Sequence, residues 1–295
     1  MMPLTPRRQR ALRGRDALVD EIPFSLPVNS ADSPALMAAF TGDLEGIRRL
    51  LPGEELVPVR LPGGRGLLVV TVIDYRTTDI GRYVEFSIAF ACAHRRAGSP
   101  LLATLLRERT TAVGQYVWDL PVSSRISVKG GKGIWGMPKH QANLDFRVDD
   151  REMSSQCDLD GDLCLRITVQ RPRGPKVPLR NLGAANYCQF RGMLMKSTIF
   201  FSDDVEVALG RRARADLRLG PHPRMDPLRD LDLAPSPLFV ACLPHSHGIL
   251  DDHYEGWFLT STSPPDPTAP PEGLESVVGL PNDQSRLPAP VAEGR

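Results

Sequence analysis

Apolar positions along the chain follow two rhythms, and each predicts a different kind of element. From Ser33 to Leu51, the residues Leu36, Met37, Phe40, Leu44, Ile47, Leu50 and Leu51 recur at three- and four-residue spacing, which predicts a helix with one apolar face. Gly42-Asp43 divides that helix, with Asp43 near a cap, and Pro52-Gly53 ends it. From there to about Val169 the rhythm shortens to that of strands. Leu67 to Ile73, within Gly66 to Tyr75, is a long β-branched run, and Tyr83 to Ala91 alternates in period two. The alternation sets Tyr83, Glu85 and Ser87 on one face and Arg82, Val84, Phe86 and Ile88 on the other. Gln115 to Val122, Asn143 to Val148 and Leu163 to Val169 read as further strands, with a hairpin turn at Asp158 to Asp162 between the last two. Pro100 to Arg109 predicts a hairpin or short helix, Ser123 to Gly131 a short helix or turn, and Asp204 to Arg214 a strand pair around Gly210. Leu238 to Leu243 is an apolar run stopped by Pro244, and His253 to Phe258 reads as a final aromatic strand; Asn186 to Phe201 carries no clear period. Together these predict a mainly β (α+β) domain built on antiparallel sheet.

The composition changes at both ends. Residues 1–33 hold Arg7, Arg8, Arg10, Arg13 and Arg15 with no acid before Asp16, and lack the apolar stretch of a secretory signal. They predict a loosely ordered basic arm. Residues 263–295 are rich in proline and poor in apolar side chains, and predict a disordered tail. The folded domain is therefore expected over 34–262. A net charge of +1 gives no field for nucleic acid or an anionic membrane surface. No run is long and apolar enough to span a membrane. Cys92, Cys157, Cys164, Cys188 and Cys242 follow no zinc or dithiol spacing, and predict reduced core residues of a cytoplasmic protein.

One stretch, Gly131 to His140, concentrates the candidate chemistry. Lys139 follows Ile134, Trp135, Met137 and Pro138, neighbours that offer little hydration and no carboxylate. At a pKa of ~10.4 only about one lysine in ~2,500 is a free amine at pH 7. Desolvation lowers that pKa, and a cationic neighbour, His140 or Lys132, would lower it further, leaving an amine able to attack a carbonyl. The same pattern also fits a lysine at a strand end whose head reaches water. Gly130-Gly131-Lys132-Gly133 lacks the spacing of a phosphate loop; its glycines predict a tight turn or a close backbone approach. His245, His247 and His253 have no carboxylate or cysteine at ligand spacing, so no metal is expected. Alternation alone leaves Glu85 either on a solvated outer face or in a polar cavity.

Gly133-Ile134-Trp135-Gly136-Met137-Pro138-Lys139 resembles the Schiff-base lysine motif of the acetoacetate decarboxylase family, in which a glycine and a short apolar or aromatic run precede Pro-Lys. Phe40 to Pro52 resembles the helix that opens the family's domain, and Tyr83-Val84-Glu85 the segment carrying its active-site glutamate. Leu120-Pro121-Val122 resembles the strand entering the lysine motif, and His222 to Leu231 a stretch near the family's C-terminus. The resemblance implies a closed antiparallel β cone or barrel with a few peripheral helices, a homo-oligomer, and a small keto-acid substrate. It implies Lys139 as the imine-forming amine, without metal or organic cofactor, and Glu85 as the residue that orients substrate or shuttles a proton. The family's device of a cation beside the lysine falls here to His140, and Trp135, Met137, Tyr83 and Tyr254 are expected to border the pocket. The implied reaction is decarboxylation of a β-keto acid. Aldolase or dehydratase chemistry through the same lysine, and a non-catalytic ligand-binding barrel, are the alternatives. The chain departs from the family at two places: His140 replaces a second lysine, and no arginine stands near Ser33, where the family has one for the substrate carboxylate.

Overall fold

The computed structural model describes residues 15–94, 113–260 and 285–290; the Pro100 to Arg109 segment lies outside them. In chain order the strands are β1 (Arg15–Val19), β2 (Ile22–Leu26), β3 (Val28–Asp43), β4 (Leu56–Pro58), β5 (Arg65–Tyr75), β6 (Thr77–Thr78), β7 (Tyr83–His94), β8 (Val113–Val122), β9 (Lys139–Gln141), β10 (Asn143–Leu144), β11 (Arg147–Val148), β12 (Glu152–Leu159), β13 (Asp162–Gln170), β14 (Val177–Phe190), β15 (Met193–Leu209), β16 (Ala215–Leu219) and β17 (Phe239–Phe258). The α-helices are α1 (Leu44–Leu50), α2 (Arg125–Trp135) and α3 (Asp226–Arg229).

The strands β7-β5-β3-β17-β15-β14-β8 pair in that order, and β8 returns to β7, closing a seven-stranded barrel. Its neighbours run antiparallel except β14 beside β8, so the barrel is mixed rather than purely antiparallel. A second sheet, β10-β12-β13-β16 with β11 paired to β12, covers one outer wall. The main core lies between these layers: Leu36, Leu68, Phe86 and Ile88 from the barrel meet Met153, Leu165 and Ile167 from the sheet. Alternation along β7 follows from this. Val84, Phe86 and Ile88 face that core, which leaves Tyr83, Glu85 and Ser87 for the lumen.

The helix expected from Ser33 to Leu51 is instead mostly strand. β3 is covered on both faces: Leu36, Ala38 and Phe40 enter the outer core, while Met37 lines the lumen and Ala35 and Ala39 pack on that side. A strand apolar on both faces loses its period-two signature and mimics helical spacing. Only α1 is helical. Asp43 caps it, accepting from Gly46 N at 2.6 Å.

The aperiodic Asn186 to Phe201 region belongs to a long hairpin, β14–β15, turned by Arg191 and Gly192 at positive φ. The strand pair expected around Gly210 does not form: β15 ends at Leu209, a 3-10 turn follows at Gly210–Arg212, and β16 joins the other sheet. The two terminal segments expected at Leu238 to Leu243 and His253 to Phe258 are one strand, β17. Register shifts on either side of Ser246 accommodate Pro244. Asp160-Gly161, both at positive φ, turn the β12–β13 hairpin as expected.

At the N-terminus β1 and β2 form a hairpin whose Val19 and Phe24 are buried beside Val128 of α2. At the other end, residues 285–290 lie on the start of α2, where Leu287 N donates to Ser123 O at 3.1 Å. All five cysteines are buried and free. Among the described residues no helix is long and apolar enough to cross a membrane.

Candidate active site

The lysine motif is a helix stop joined to a strand start. α2 ends at Trp135, and Gly136 takes the left-handed conformation at φ 64° that only glycine adopts cheaply. Met137 N reaches back to Gly131 O at 3.1 Å, closing the helix end, and Pro138 prevents its continuation. The chain then extends as β9, which pairs in parallel with β8, Lys139 opposite Leu120. Period two on β9 turns Lys139 into the barrel and His140 out of it.

Lys139 is 5 % exposed. Its Nζ lies 2.7 Å from Glu85 Oε2, donates to Ser127 Oγ at 2.9 Å, and sits 5.2 Å from the centroid of the Tyr83 ring. Ser127 and Gly131 stand one turn apart on the same face of α2. Ser127 holds the ammonium, and Gly131 clears space for the stem: a Cβ there would come within 2.5 Å of Lys139 Cδ. This is the close approach expected of the glycine run. Tyr75 stacks on Tyr83 with ring centroids 4.6 Å apart and hydrogen-bonds Glu85. Burial pushes both phenols up, Tyr83 to about 12, so each remains protonated.

The sign expected for Lys139 is corrected here. Burial, the largest single influence, pushes its pKa down, but the Glu85 carboxylate at 2.7 Å and Tyr83 together outweigh burial and hold the ammonium above its ordinary value of 10.5. The Lys139 neighbourhood lacks carboxylates only along the sequence; β7 brings one across the barrel.

His140 is also corrected as a cation beside Lys139. Its Nε2 lies 3.0 Å from Asp119 Oδ1, and Arg224 grips the same carboxylate with Nε at 2.9 Å and Nη2 at 2.7 Å. Asp119 is buried, which raises its pKa, yet His140 and Arg224 reverse this and hold it below the usual carboxylate range. The triad ties β8, β9 and the turn before α3 together behind the lysine. Arg224→Met is expected to cost about 2 kcal/mol, because it leaves a buried carboxylate with His140 as its remaining partner while Arg224 itself is partly solvated; urea unfolding checks this. The stabilisation of Asp119 is present above the ordinary 3.8 and fades as pH falls through its lower folded value, so the gap between variant and wild type should narrow in acid.

Lys139, Glu85, Tyr83 and Met137 line one cavity of about 140 Å³ inside the barrel. Its walls are mostly apolar, with Ile73, Leu120, Ile199 and Phe201 among them. Trp135 does not line it; it is buried behind Met137 with Val117, Leu120 and Cys188. Tyr254 lies on β17 opposite Ser197, and its side chain is outside the described residues. Ser33, at the place of the absent arginine, is buried, its carbonyl accepting from Ser246 Oγ. Among the described residues no group of three His, Cys, Asp or Glu is arranged to hold a metal. Ser127, Tyr75, Gln115 and Asn186 were not foreseen; a strand pairing that sets Tyr75 opposite Tyr83 is the one signal that would have found the first tyrosine.

Gly131→Ala should push the Lys139 side chain aside, lowering any imine formation about 10²-fold with the fold kept, since a displacement of roughly 1 Å has that effect on a positioned reactant. Borohydride trapping alongside circular dichroism checks it.

A family model described as acetoacetate decarboxylase matches residues 9–237, well over half of the chain. The chain belongs to the acetoacetate decarboxylase family. No curated protein matches the sequence. Solved structures are similar in fold across most of their length. An acetoacetate decarboxylase aligns at TM-score 0.58 and 16% identity, covering 79% of this chain and 89% of that one. The acetoacetate decarboxylase of Legionella pneumophila aligns at 0.53 and 13%, covering 76% and 85%. The enduracididine biosynthesis enzyme MppR, complexed with pyruvate, aligns at 0.53 and 17%, covering 80% and 91%. MppR has also been solved with the condensation product of pyruvate and imidazole 4-carboxaldehyde. Membership in this family makes a lyase-type enzyme the coarse description of the chain.

Proposed function

We propose that the chain is a lyase that forms an imine between Lys139 and a keto acid, and that it decarboxylates a β-keto acid. The observation that carries this reading is the Lys139 amine held between Glu85 and Ser127 inside the cavity. Glu85 takes the ammonium proton, converting a buried ion pair into a neutral amine and a neutral acid. The amine attacks the ketone carbon, and Glu85 returns its proton to the departing hydroxyl, so water leaves and a cationic imine forms. The bond to the carboxylate breaks, its electron pair enters the imine, and carbon dioxide leaves an enamine. Protonation at carbon, with the proton drawn from solvent, and hydrolysis release the ketone and the amine. The apolar walls favour loss of the carboxylate charge, and the protonated Tyr75 and Tyr83 hold Glu85 and Lys139 in place.

A second reading uses the same imine for aldol addition or dehydration of an oxo acid. MppR bound to a pyruvate condensation product favours it by fold likeness, and so does the absence of an arginine near Ser33. The test is to incubate the protein with acetoacetate, pyruvate and a longer β-keto acid, add borohydride, and map the adduct. An adduct on Lys139 with release of carbon dioxide supports decarboxylation; an adduct without it supports the second reading. Absence of any adduct on folded protein rejects both.

A further inference from the structure

Beyond Lys139 and Glu85 the cavity continues to neutral polar groups that the imine chemistry does not use. Gln115 lies roughly 17 Å along β8 from Leu120, the register partner of Lys139. Its Nε2 donates to Asn186 Oδ1 at 2.9 Å, across the parallel β8–β14 pair. With that bond made, two groups of the pair are wholly unused, the acceptor Gln115 Oε1 and the donor NH2 of Asn186. Neither group has another partner among the described residues. Turning both amides over exchanges which residue offers which, but still leaves one amide oxygen and one amide NH2 wholly unused. On the facing strands Thr71 stands opposite Ser87, one lumen position further in than Ile73 and Glu85. Thr71 is 8 % exposed, and its hydroxyl oxygen is buried without a hydrogen-bond partner. Buried polar groups are ordinarily satisfied, so an unpaired hydroxyl and a half-used amide pair along one cavity call for a ligand group. Among the described residues, Lys139 is the only lysine or arginine that lines this cavity.

We propose that the wall of the cavity carrying Gln115, Asn186 and Thr71 is a specificity subsite for a neutral hydrogen-bonding group, a hydroxyl or an amide, on the chain of the substrate. Gln115, Asn186 and Thr71 are its determinants, and the proposal rests on the imine reading of Lys139. A hydroxyl gives its proton to the free amide oxygen and accepts from the free amide N–H. A methyl terminus leaves both unpaired, and a site built to bond a hydroxyl discriminates strongly against an analogue lacking it. A carboxylate offers no proton to the amide oxygen and finds no cation there, so it enters at a desolvation cost.

The test uses straight-chain β-keto acids of graded length, each with a methyl, a hydroxyl or a carboxylate terminus. The concentration that half-saturates borohydride trapping at Lys139 is measured for each. At the length that reaches Gln115, the hydroxyl series is expected to saturate at least about tenfold lower than the other two. Asn186→Leu should erase that advantage, raising the half-saturating concentration of the hydroxyl series to that of the methyl series or above. Thr71→Val, nearly isosteric, supplies a second variant if the first fails to fold, and should narrow the same advantage. Equal half-saturation for methyl and hydroxyl termini at every length, with Lys139 trapped, would overturn the subsite and leave the imine reading intact. Trapping with none of the acids on folded protein would overturn both.

Discussion

Lys139→Met is expected to abolish borohydride adducts with every keto acid and to reduce carbon dioxide release at least about 10⁴-fold, the scale seen when a covalent nucleophile is removed. Methionine keeps the length of the stem beside Gly131 and removes the amine. The Glu85 carboxylate then loses its 2.7 Å partner. It lines a cavity and keeps Tyr75 as a hydrogen-bond donor, so it is not left without a partner. The stability cost should be about 1–3 kcal/mol, that of a weakened buried polar group rather than of a lost core. Lys139→Arg separates the two roles of the residue. A guanidinium keeps the positive charge beside Glu85 but is never deprotonated, so it cannot form an imine. It should retain more of the stability than methionine does and none of the turnover. Trapping that persists in both variants would mean that another lysine carries the chemistry. Lys129, buried on α2 and paired with Asp20 at 2.7 Å, would be the first to map.

The parts of this site that were legible in the sequence are those written in short-range pattern. Alternation along β7 put Tyr83, Glu85 and Ser87 on one face, and the outer core fixes that face as the lumen. The run Gly-Met-Pro before Lys139 announces a helix end followed by extended chain, which is the device that aims the lysine. The illegible parts depend on which strands meet. The pKa of Lys139 has the opposite sign from the sequence expectation because its carboxylate comes from β7, far away along the chain. Adjacency to Lys139, at the place of the family's second lysine, puts His140 on the lysine's side in the sequence reading. As a strand, β9 must place successive residues on opposite faces, and Asp119 takes His140. β3 was misread for a related reason. A strand enclosed by a lumen and an outer sheet has no polar face to betray its period, and only the neighbours β5 and β17 reveal it.

Glu85→Gln is expected to move the pH dependence of imine formation and to lower its rate, since Glu85 acts on Lys139 in two opposed ways. As a charge it raises the lysine pKa above 10.5 against the burial that lowers it. As a base 2.7 Å away it removes the proton that this elevated pKa retains. Glutamine keeps the shape and removes both actions. Desolvation, the largest influence on Lys139, is then opposed by Tyr83 alone, so the Lys139 pKa falls below its ordinary value and more of the amine is free at neutral pH. A simple ketone, which tests only imine formation, should therefore be trapped with a pH profile shifted to lower pH, while the maximal rate of trapping falls because Glu85 no longer protonates the departing hydroxyl. Carbon dioxide release from a β-keto acid should fall about 10²–10⁴-fold, the usual contribution of a positioned acid–base group. Stability gives an independent reading of the same sign. In the wild type the raised pKa contributes stability that is fully present below 10.5 and is lost as pH climbs through the higher folded value. In the variant the folded pKa lies below the unfolded one, so this contribution changes sign and stability rises with pH across the approach to 10.5. Melting temperatures across that range, measured for both proteins, check the slope. A trapping profile with the same pH dependence in both proteins, with parallel melting curves, would show that Glu85 does not control the charge on Lys139.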